Sequence, residues 1–423
     1  MARAELLEDL GGWVADSTRR RVAERLETWD LGDARERGFA LRNVGRGQLA
    51  QALTDYYGDS APPHRVYTAD VDGQPVCTSV LTRTDWSHAA LPLRSDTEQV
   101  ALTDPELESI DRVVHVDNPV AVERLAEAAA LGVRMTNKPL YRLVDVDIRD
   151  GVLAGGVGLA SFGVYALTMD LLEREIAEAL VAGRDTRPGD LPLRDRYLPD
   201  LAAVLDLPNR VCAGGVAGLT AIARPADPYR GPADYALLVQ ERSGQVVNGA
   251  GRLAVIPKGF HEPLTDVRGD ARISSTLLRE MEEELFGRAE VDSTTGHGRA
   301  AAPMHPGRLS EPMRWLLDEP GRLRTECTGF GLNLVSGNYE FAALVVIDDE
   351  EFWPRFGGVI EANWESAGLR IYSSLDEHLI SKLIMDESWS NEGLFSFLQG
   401  VRRLREIGGP RVRLPSVEVV SGG

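Results

Sequence analysis

Lysine is almost missing from this chain: of 46 basic residues only Lys138, Lys258 and Lys382 are lysine. The arginine excess that results is read as genomic base composition rather than function. Positive charge is also short overall, since 65 acidic residues leave a net charge of −19. Nucleic-acid binders carry a basic footprint, so this balance argues against phosphate-backbone binding over the whole surface and leaves room only for a local patch. Nucleic acid is therefore not an expected partner. Cysteine is scarce, and Cys77, Cys212 and Cys327 lie too far apart in sequence to read as a metal-ligand pair. No apolar run is long enough to span a bilayer, and Met1 to Trp13 lacks the basic, apolar and small-residue order of a leader. The expectation is a cytoplasmic protein with no membrane partner.

The composition that remains, 43% hydrophobic with 6% aromatic, is that of a folded chain, and 423 residues imply two or three domains. Glu5 to Trp29 has helical periodicity. Its Arg19-Arg20-Arg21 triplet reads as a solvated helix face rather than a phosphate contact. Gln48 to Tyr57 is a second short helix. His64 to Arg83 alternates around Asp72-Gly73, a hairpin signal, and Tyr141 to Ile148 with Val152 to Leu159 repeats it around Asp150-Gly151. Asn118-Pro119 caps a helix running through Ala130, and Phe162 to Ala182 is amphipathic. Gly155-Gly156-Val157-Gly158 is read as a tight strand-to-helix turn: the third glycine of a dinucleotide fingerprint is serine, and no βαβ unit surrounds it. Strands arriving as hairpins make this half mixed α+β.

Arg184 to Asp200, rich in Arg, Asp, Pro and Gly, has the composition of an exposed linker, and it places a boundary between Gly183 and Gly215. Expected domains are 1–205, 206–410 and a tail, 411–423. Strands are predicted at 216–223, 235–241, 252–256, 329–335 and 340–347, with a closing helix at Ser390–Ile407. Asp292 to Arg308 reads as a loop, and its His297 and His305 have no partner spacing that would define a metal site.

One stretch carries chemistry: Pro257 to Gly287, PKGFHEPLTDVRGDARISSTLLREMEEELFG. On a helix, residues three and four apart share a face, so Glu280, Glu283 and Glu284 can converge on one point. Converging carboxylates suit a hard divalent cation, Mg²⁺ or Mn²⁺. The competing reading of Glu282-Glu283-Glu284 is a solvated acidic face. Upstream, Arg252 to Ile256 reads as a strand and Pro257-Lys258-Gly259 as a turn.

Strand, glycine turn, loop and acidic helix together resemble the Nudix hydrolase family, whose box is G-x5-E-x7-R-E-U-x-E-E-x-G-U. Arg279-Glu280-Met281-Glu282-Glu283-Glu284 matches R-E-U-x-E-E without a gap, and Pro257-Lys258-Gly259 resembles the family's opening. Glu262 falls where many members carry a further acid. Gly259 and Arg279 are six residues farther apart than in the box, which places an insertion in Leu264 to Arg272, with Asp266 or Asp270 in place of the first glutamate. The terminal glycine, Gly287, comes one position late.

The resemblance implies an α/β/α sandwich with a mixed sheet over 206–410, and metal-dependent hydrolysis of the diphosphate linkage in a nucleoside diphosphate derivative. It implies metal ligands Glu280, Glu283 and Glu284, with Glu283 also acting on the attacking water. Arg279 would tie the helix to the preceding loop, and Lys258 and Gly259 would meet the substrate's phosphates. Glu361, Glu365 and Glu377 are candidates for a further acid. The expected partner is a nucleotide-type small molecule, and a homodimer is compatible with this reading. The altered loop also admits another function, a catalytically silent nucleotide sensor.

Overall fold

The Asp72-Gly73 hairpin forms as its sequence predicts. Both turn residues take positive φ, 51° and 85°, which suits a two-residue turn matched to the strand twist. Its arms are His64–Val71 and Gln74–Thr82, in register Val71 to Gln74 and Asp70 to Pro75. The computed structural model describes residues 12–58, 60–94, 96–104, 118–131, 133, 135, 137–149, 151–243, 249–288, 304–360 and 366–420.

The second arm does not stop at the hairpin. Leu81 and Val80 pair with Leu332 and Asn333 of strand Leu323–Asn333, and from there the sheet continues through Asn338–Ile347, Gly214–Arg224, Asp234–Arg242 and Leu253–Val255. Twelve strands join this sheet among the described residues. Asn338–Ile347 runs parallel to Gly214–Arg224 and antiparallel to Leu323–Asn333, so the sheet is mixed. Every residue of Gly214–Arg224 and of Asn338–Ile347 is buried, which requires cover on both faces. Ile273, Leu277, Met281 and Leu285 of the acidic helix pack on one face, in a core shared with Trp13, Leu53, Leu125 and Tyr165. On the other face, helix Asn391–Ile407 buries Leu394, Phe395, Phe397, Leu398 and Val401. A second sheet, of Glu98–Asp104, Val152–Ser161 and Pro139–Arg149, touches the first where the Leu143 amide donates to Cys212 O at 2.8 Å and the Tyr141 amide to His261 O at 2.9 Å.

The boundary expected between Gly183 and Gly215 therefore does not separate one sheet from another, because the 1–205 and 206–410 segments share one sheet and one apolar core. Nor is Arg184 to Asp200 wholly an exposed linker. Within it, helix Pro192–Tyr197 carries Arg194 at 0% exposure. The Arg194 guanidinium donates to Leu334 O at 2.7 Å, Val335 O at 2.6 Å and Leu172 O at 3.2 Å, and to the Tyr57 hydroxyl at 3.0 Å. Composition made this stretch look solvated, but the bends it contains feed a buried clamp.

Other expectations shift locally. The first helix among the described residues is Asp16–Glu27, with Arg20 and Arg21 exposed as expected; residues 5–11 of the predicted helix lie outside the described residues. Phe162–Ala166 and Leu171–Val181 are two helices rather than one. Gly155, Gly156 and Gly158 sit inside strand Val152–Ser161, not in a turn. A side chain at Gly155 would meet the Asp145 carbonyl and one at Gly156 the Asp145 carboxylate, where the partner strand bulges between Leu143 and Asp145. These glycines permit close strand approach. Among the described residues no helix is long and apolar enough to cross a membrane.

Candidate ligand site around the acidic helix

Pro257-Lys258-Gly259 leads directly into a short strand, Lys258–Phe260, paired antiparallel with Gly215 to Ala217; the expected turn is thus an added sheet edge. The chain then crosses the inserted segment, which is organised by its own acids. Asp270 accepts the amides of Leu264, Thr265 and Asp266 at 2.9 to 3.1 Å, and Asp266 accepts those of Arg268 and Gly269. Both aspartates are thereby used in folding the loop, and neither stands in for the first glutamate of the box. The acidic helix begins at Ile273, where Glu98 accepts the Ser274 amide with both oxygens, at 3.1 and 3.3 Å. An anion at a helix N-terminus is stabilised by the unpaired amides and the dipole. This one comes from a strand 176 residues upstream, and no local signal could have revealed it.

The α-helix ends at Glu280 and continues as one π turn, Met281–Leu285. A π turn closes i→i+5 rings and so holds one residue more than an α turn. That extra residue explains why Gly287 comes one position late: it still follows the last turn, at φ 62°, as a helix-terminating glycine. It also shifts the angular positions of the glutamates, which the prediction of convergence took from α spacing.

The glutamates are not a solvated face. Glu282, Glu283 and Glu284 are 0%, 6% and 1% exposed, and Glu280, Glu282 and Glu284 are directed to different places. Glu282 Oε1 accepts the Ser310 amide at 2.7 Å, at the start of helix Glu311–Asp318. Glu284 Oε2 accepts the Lys258 amide at 2.6 Å, and its Oε1 lies 3.9 Å from Arg242 Nη1. Glu280 Oε1 accepts from Arg279 Nη2 at 2.7 Å and lies so close to Gly259 that a side chain there would overlap its carboxylate. Gly259 is thus required for close approach, and it meets Glu280 rather than an open phosphate site.

Arg279 ties the acidic helix to the loop before it. Nη1 donates to Glu262 at 2.9 Å and Nη2 to the Phe260 carbonyl at 3.0 Å. Burial disfavours its charge, but Glu280, Glu262 and Glu283 outweigh burial and raise its pKa. Beside it, His261 is wholly buried with Nδ1 2.9 Å from the Tyr339 hydroxyl, and burial lowers its pKa to about 3, so it stays neutral.

A divalent ion is tested by this donor set. Glu280 is paired with Arg279, and Glu284 with the Lys258 amide and Arg242. Among the described residues no three His, Cys, Asp or Glu side chains are grouped so as to hold a metal. The residues as placed do not fit Mg²⁺ or Mn²⁺. Of the further acids, Glu361 and Glu365 lie outside the described residues, as does His297. Glu377 is exposed at the start of helix Glu377–Ile384 on the sheet face opposite the acidic helix. His305 Nδ1 accepts the Gly307 amide in a surface turn.

Lys258 is also not free for phosphate: Nζ binds Glu392 Oε1 at 2.8 Å, with both side chains buried. Glu392 Oε2 accepts from Asn333 Nδ2 at 3.0 Å. Burial pushes the Glu392 carboxyl up, but Lys258 outweighs it and the net shift is downward. These residues line a cavity of about 30 Å³ together with Arg242, Asn338 and Glu340. Sequence reasoning missed Asn338, Glu340 and Glu392. The only available signal was polar residues on a strand that is otherwise apolar.

Glu340 is 5% exposed, and burial raises its pKa to about 8, with Lys258 and Arg242 opposing and Glu392 adding to the rise. An acid whose pKa is higher folded than unfolded binds its proton more tightly in the fold. Its stabilising contribution is therefore present below the unfolded value and lost as pH rises from about 4.5 through about 8. Melting curves of wild type and Glu340→Gln across that range should show the variant gaining relative stability as pH rises. A constant difference between them would mean that Glu340 ionises normally in the fold.

No protein-family model matches the chain, and no curated protein matches it.

Proposed function

We propose that this protein is a nucleotide-binding module built on a Nudix-like sandwich, sensing its ligand without hydrolysing it. Support for the sandwich comes from a mixed sheet covered by the acidic helix on one face and Asn391–Ile407 on the other, with Arg279 tying helix to loop through Glu262. The observation that carries the absence of turnover is the commitment of Glu280, Glu284 and Lys258 to partners within the protein. Turning Glu280 to an ion and Lys258 to a phosphate would leave Arg279 and Glu392 as buried charges short of a partner, a cost of several kcal/mol. Metal-dependent diphosphate hydrolysis is the second reading, favoured by the unbroken Arg279 to Glu284 motif and by Glu283 buried beside Arg279.

A screen of nucleoside diphosphate derivatives separates the two. Binding should raise Tm by mass action, with no phosphate or nucleoside monophosphate released in Mg²⁺ or Mn²⁺, and neither ion alone should change Tm. Product release that disappears in Glu283→Gln would instead establish the hydrolase.

A further inference from the structure

Among the side-chain oxygens lining the cavity beneath Lys258, two make no hydrogen bond in the protein: Glu340 Oε1 and Asn338 Oδ1. Their residues are 5% and 8% exposed. A buried polar atom without a partner costs about 1–3 kcal/mol, so two lining one cavity define a place where an outside group would be stabilised. Residues two apart on a strand share a face, and both side chains come from Asn338–Ile347.

The charges around them decide what that group can be. Lys258 is neutralised by Glu392 at 2.8 Å, and Arg242 lies 3.9 Å from Glu284. A phosphate entering here would find Lys258 already paired with Glu392, Arg242 facing Glu284, and one further carboxyl, Glu340, on the lining. Burial keeps Glu340 protonated at neutral pH, which supplies an O–H donor. Asn338 spends its Nδ2 on the Tyr165 hydroxyl at 2.9 Å, leaving its carbonyl to accept. Glu340 and Asn338 thus offer one donor and one acceptor side by side, in a cavity where Glu392 neutralises Lys258 and Glu284 faces Arg242.

We propose that this cavity recognises an uncharged amide edge, a carboxamide or the lactam edge of a nucleobase, whose carbonyl accepts from Glu340 and whose N–H donates to Asn338. The assignment rests on the nucleotide-binding reading for its ligand class and names the end of the ligand that is read.

About 30 Å³ admits only the tip of such a ligand. The remainder has an adjoining space: a cleft of about 160 Å³ between helices Leu31–Arg42, Pro119–Leu131 and Leu171–Val181. Gly249 lines this cleft, and a side chain on it would lie 3.8 Å from both Arg242 and Glu392 of the cavity, so the cleft reaches the edge of the cavity at Gly249. Leu41 and Leu171 give the cleft an apolar lining, and its four arginines, Arg42 among them, outnumber its three acids, Glu127, Asp170 and Glu173, which admits the sugar and phosphate of a nucleotide.

The test is titration calorimetry of the full chain at neutral pH with two matched pairs: uridine monophosphate against its N3-methyl derivative, and nicotinamide mononucleotide against nicotinic acid mononucleotide. Free uracil and nicotinamide are titrated alongside. One member of the pairs, uridine or nicotinamide, should bind, and its partner lacking the N–H should bind about tenfold more weakly or worse. The pair that discriminates distinguishes nucleobase from carboxamide. Asn338→Leu should lose binding by a similar factor, whereas Glu340→Gln, which keeps a donor and an acceptor, should stay within a few-fold. Near-ultraviolet circular dichroism confirms that each variant folds.

Equal binding within both pairs, or binding indifferent to Asn338→Leu, overturns the cavity assignment while leaving the nucleotide reading standing. Nicotinamide or uracil binding that depends on Asn338, with no nucleotide bound, keeps the cavity and removes the nucleotide reading. Silence from all six probes overturns the proposal.

Discussion

Replacing Arg194 by alanine is expected to destabilise the protein by about 4 kcal/mol, among the largest single-residue effects in the chain. The substitution removes a guanidinium at 0% exposure and strips the Leu172, Leu334 and Val335 carbonyls of a charged donor. With an unfolding entropy of roughly 2 cal/mol/K per residue over the whole chain, Tm should fall by about 4–5 °C. Arg187→Ala, at an exposed position a few residues earlier, is the control and should shift Tm by less than about 1 °C. Equal shifts in the two would show that the clamp does not hold helix Pro192–Tyr197 to the sheet. The expected result has an architectural meaning, because Arg194 joins the Leu171–Val181 helix, Tyr57 and the turn after strand Leu323–Asn333. Losing it should loosen the contact between the two segments that composition alone marked as separate domains.

Lys258→Met is the second large effect. It leaves the Glu392 carboxylate buried with only Asn333 and its own helix N-terminus for company, and breaking a buried pair from one side costs about 3–5 kcal/mol. Adding Glu392→Met should recover a substantial fraction of that loss, since an apolar pair of similar volume avoids desolvating either charge. Urea denaturation of the two single variants and the double variant provides the cycle. Additive losses would mean that the 2.8 Å contact contributes no coupling and that Lys258 is held by packing alone.

The further acids and the metal illustrate where reading from sequence stops. Glu280, Glu283 and Glu284 at α-helical spacing predict one binding point, but the helix passes into a π turn at Met281–Leu285, and Glu280 and Glu284 meet different neighbours. Glu280 accepts from the adjacent Arg279, whereas Glu284 reaches Lys258 and Arg242, 26 and 42 residues away in sequence. A tie from Arg279 to the loop before it was legible from the motif, and the fold decided that Glu262 is the acid it meets. The partner of Lys258 was not, because Glu392 is 134 residues downstream.

Local features were legible in the sequence: the Asp72-Gly73 turn, the helix starting at Pro119 behind Asn118, strands over 216–223 and 340–347, and a tie from Arg279 to the loop before its helix. Each depends on backbone preference, hydrophobic period or a short motif, which act over a few residues. The tertiary structure decided that hairpin 64–82 belongs to the same sheet as 323–347, that Glu98 caps the acidic helix, and that Asn338 and Glu340 share a cavity with Lys258 and Glu392. The physical reason is that sheet pairing and buried charge are satisfied by whichever partner the fold brings within about 3 Å, and distance along the chain places no limit on which partner that is.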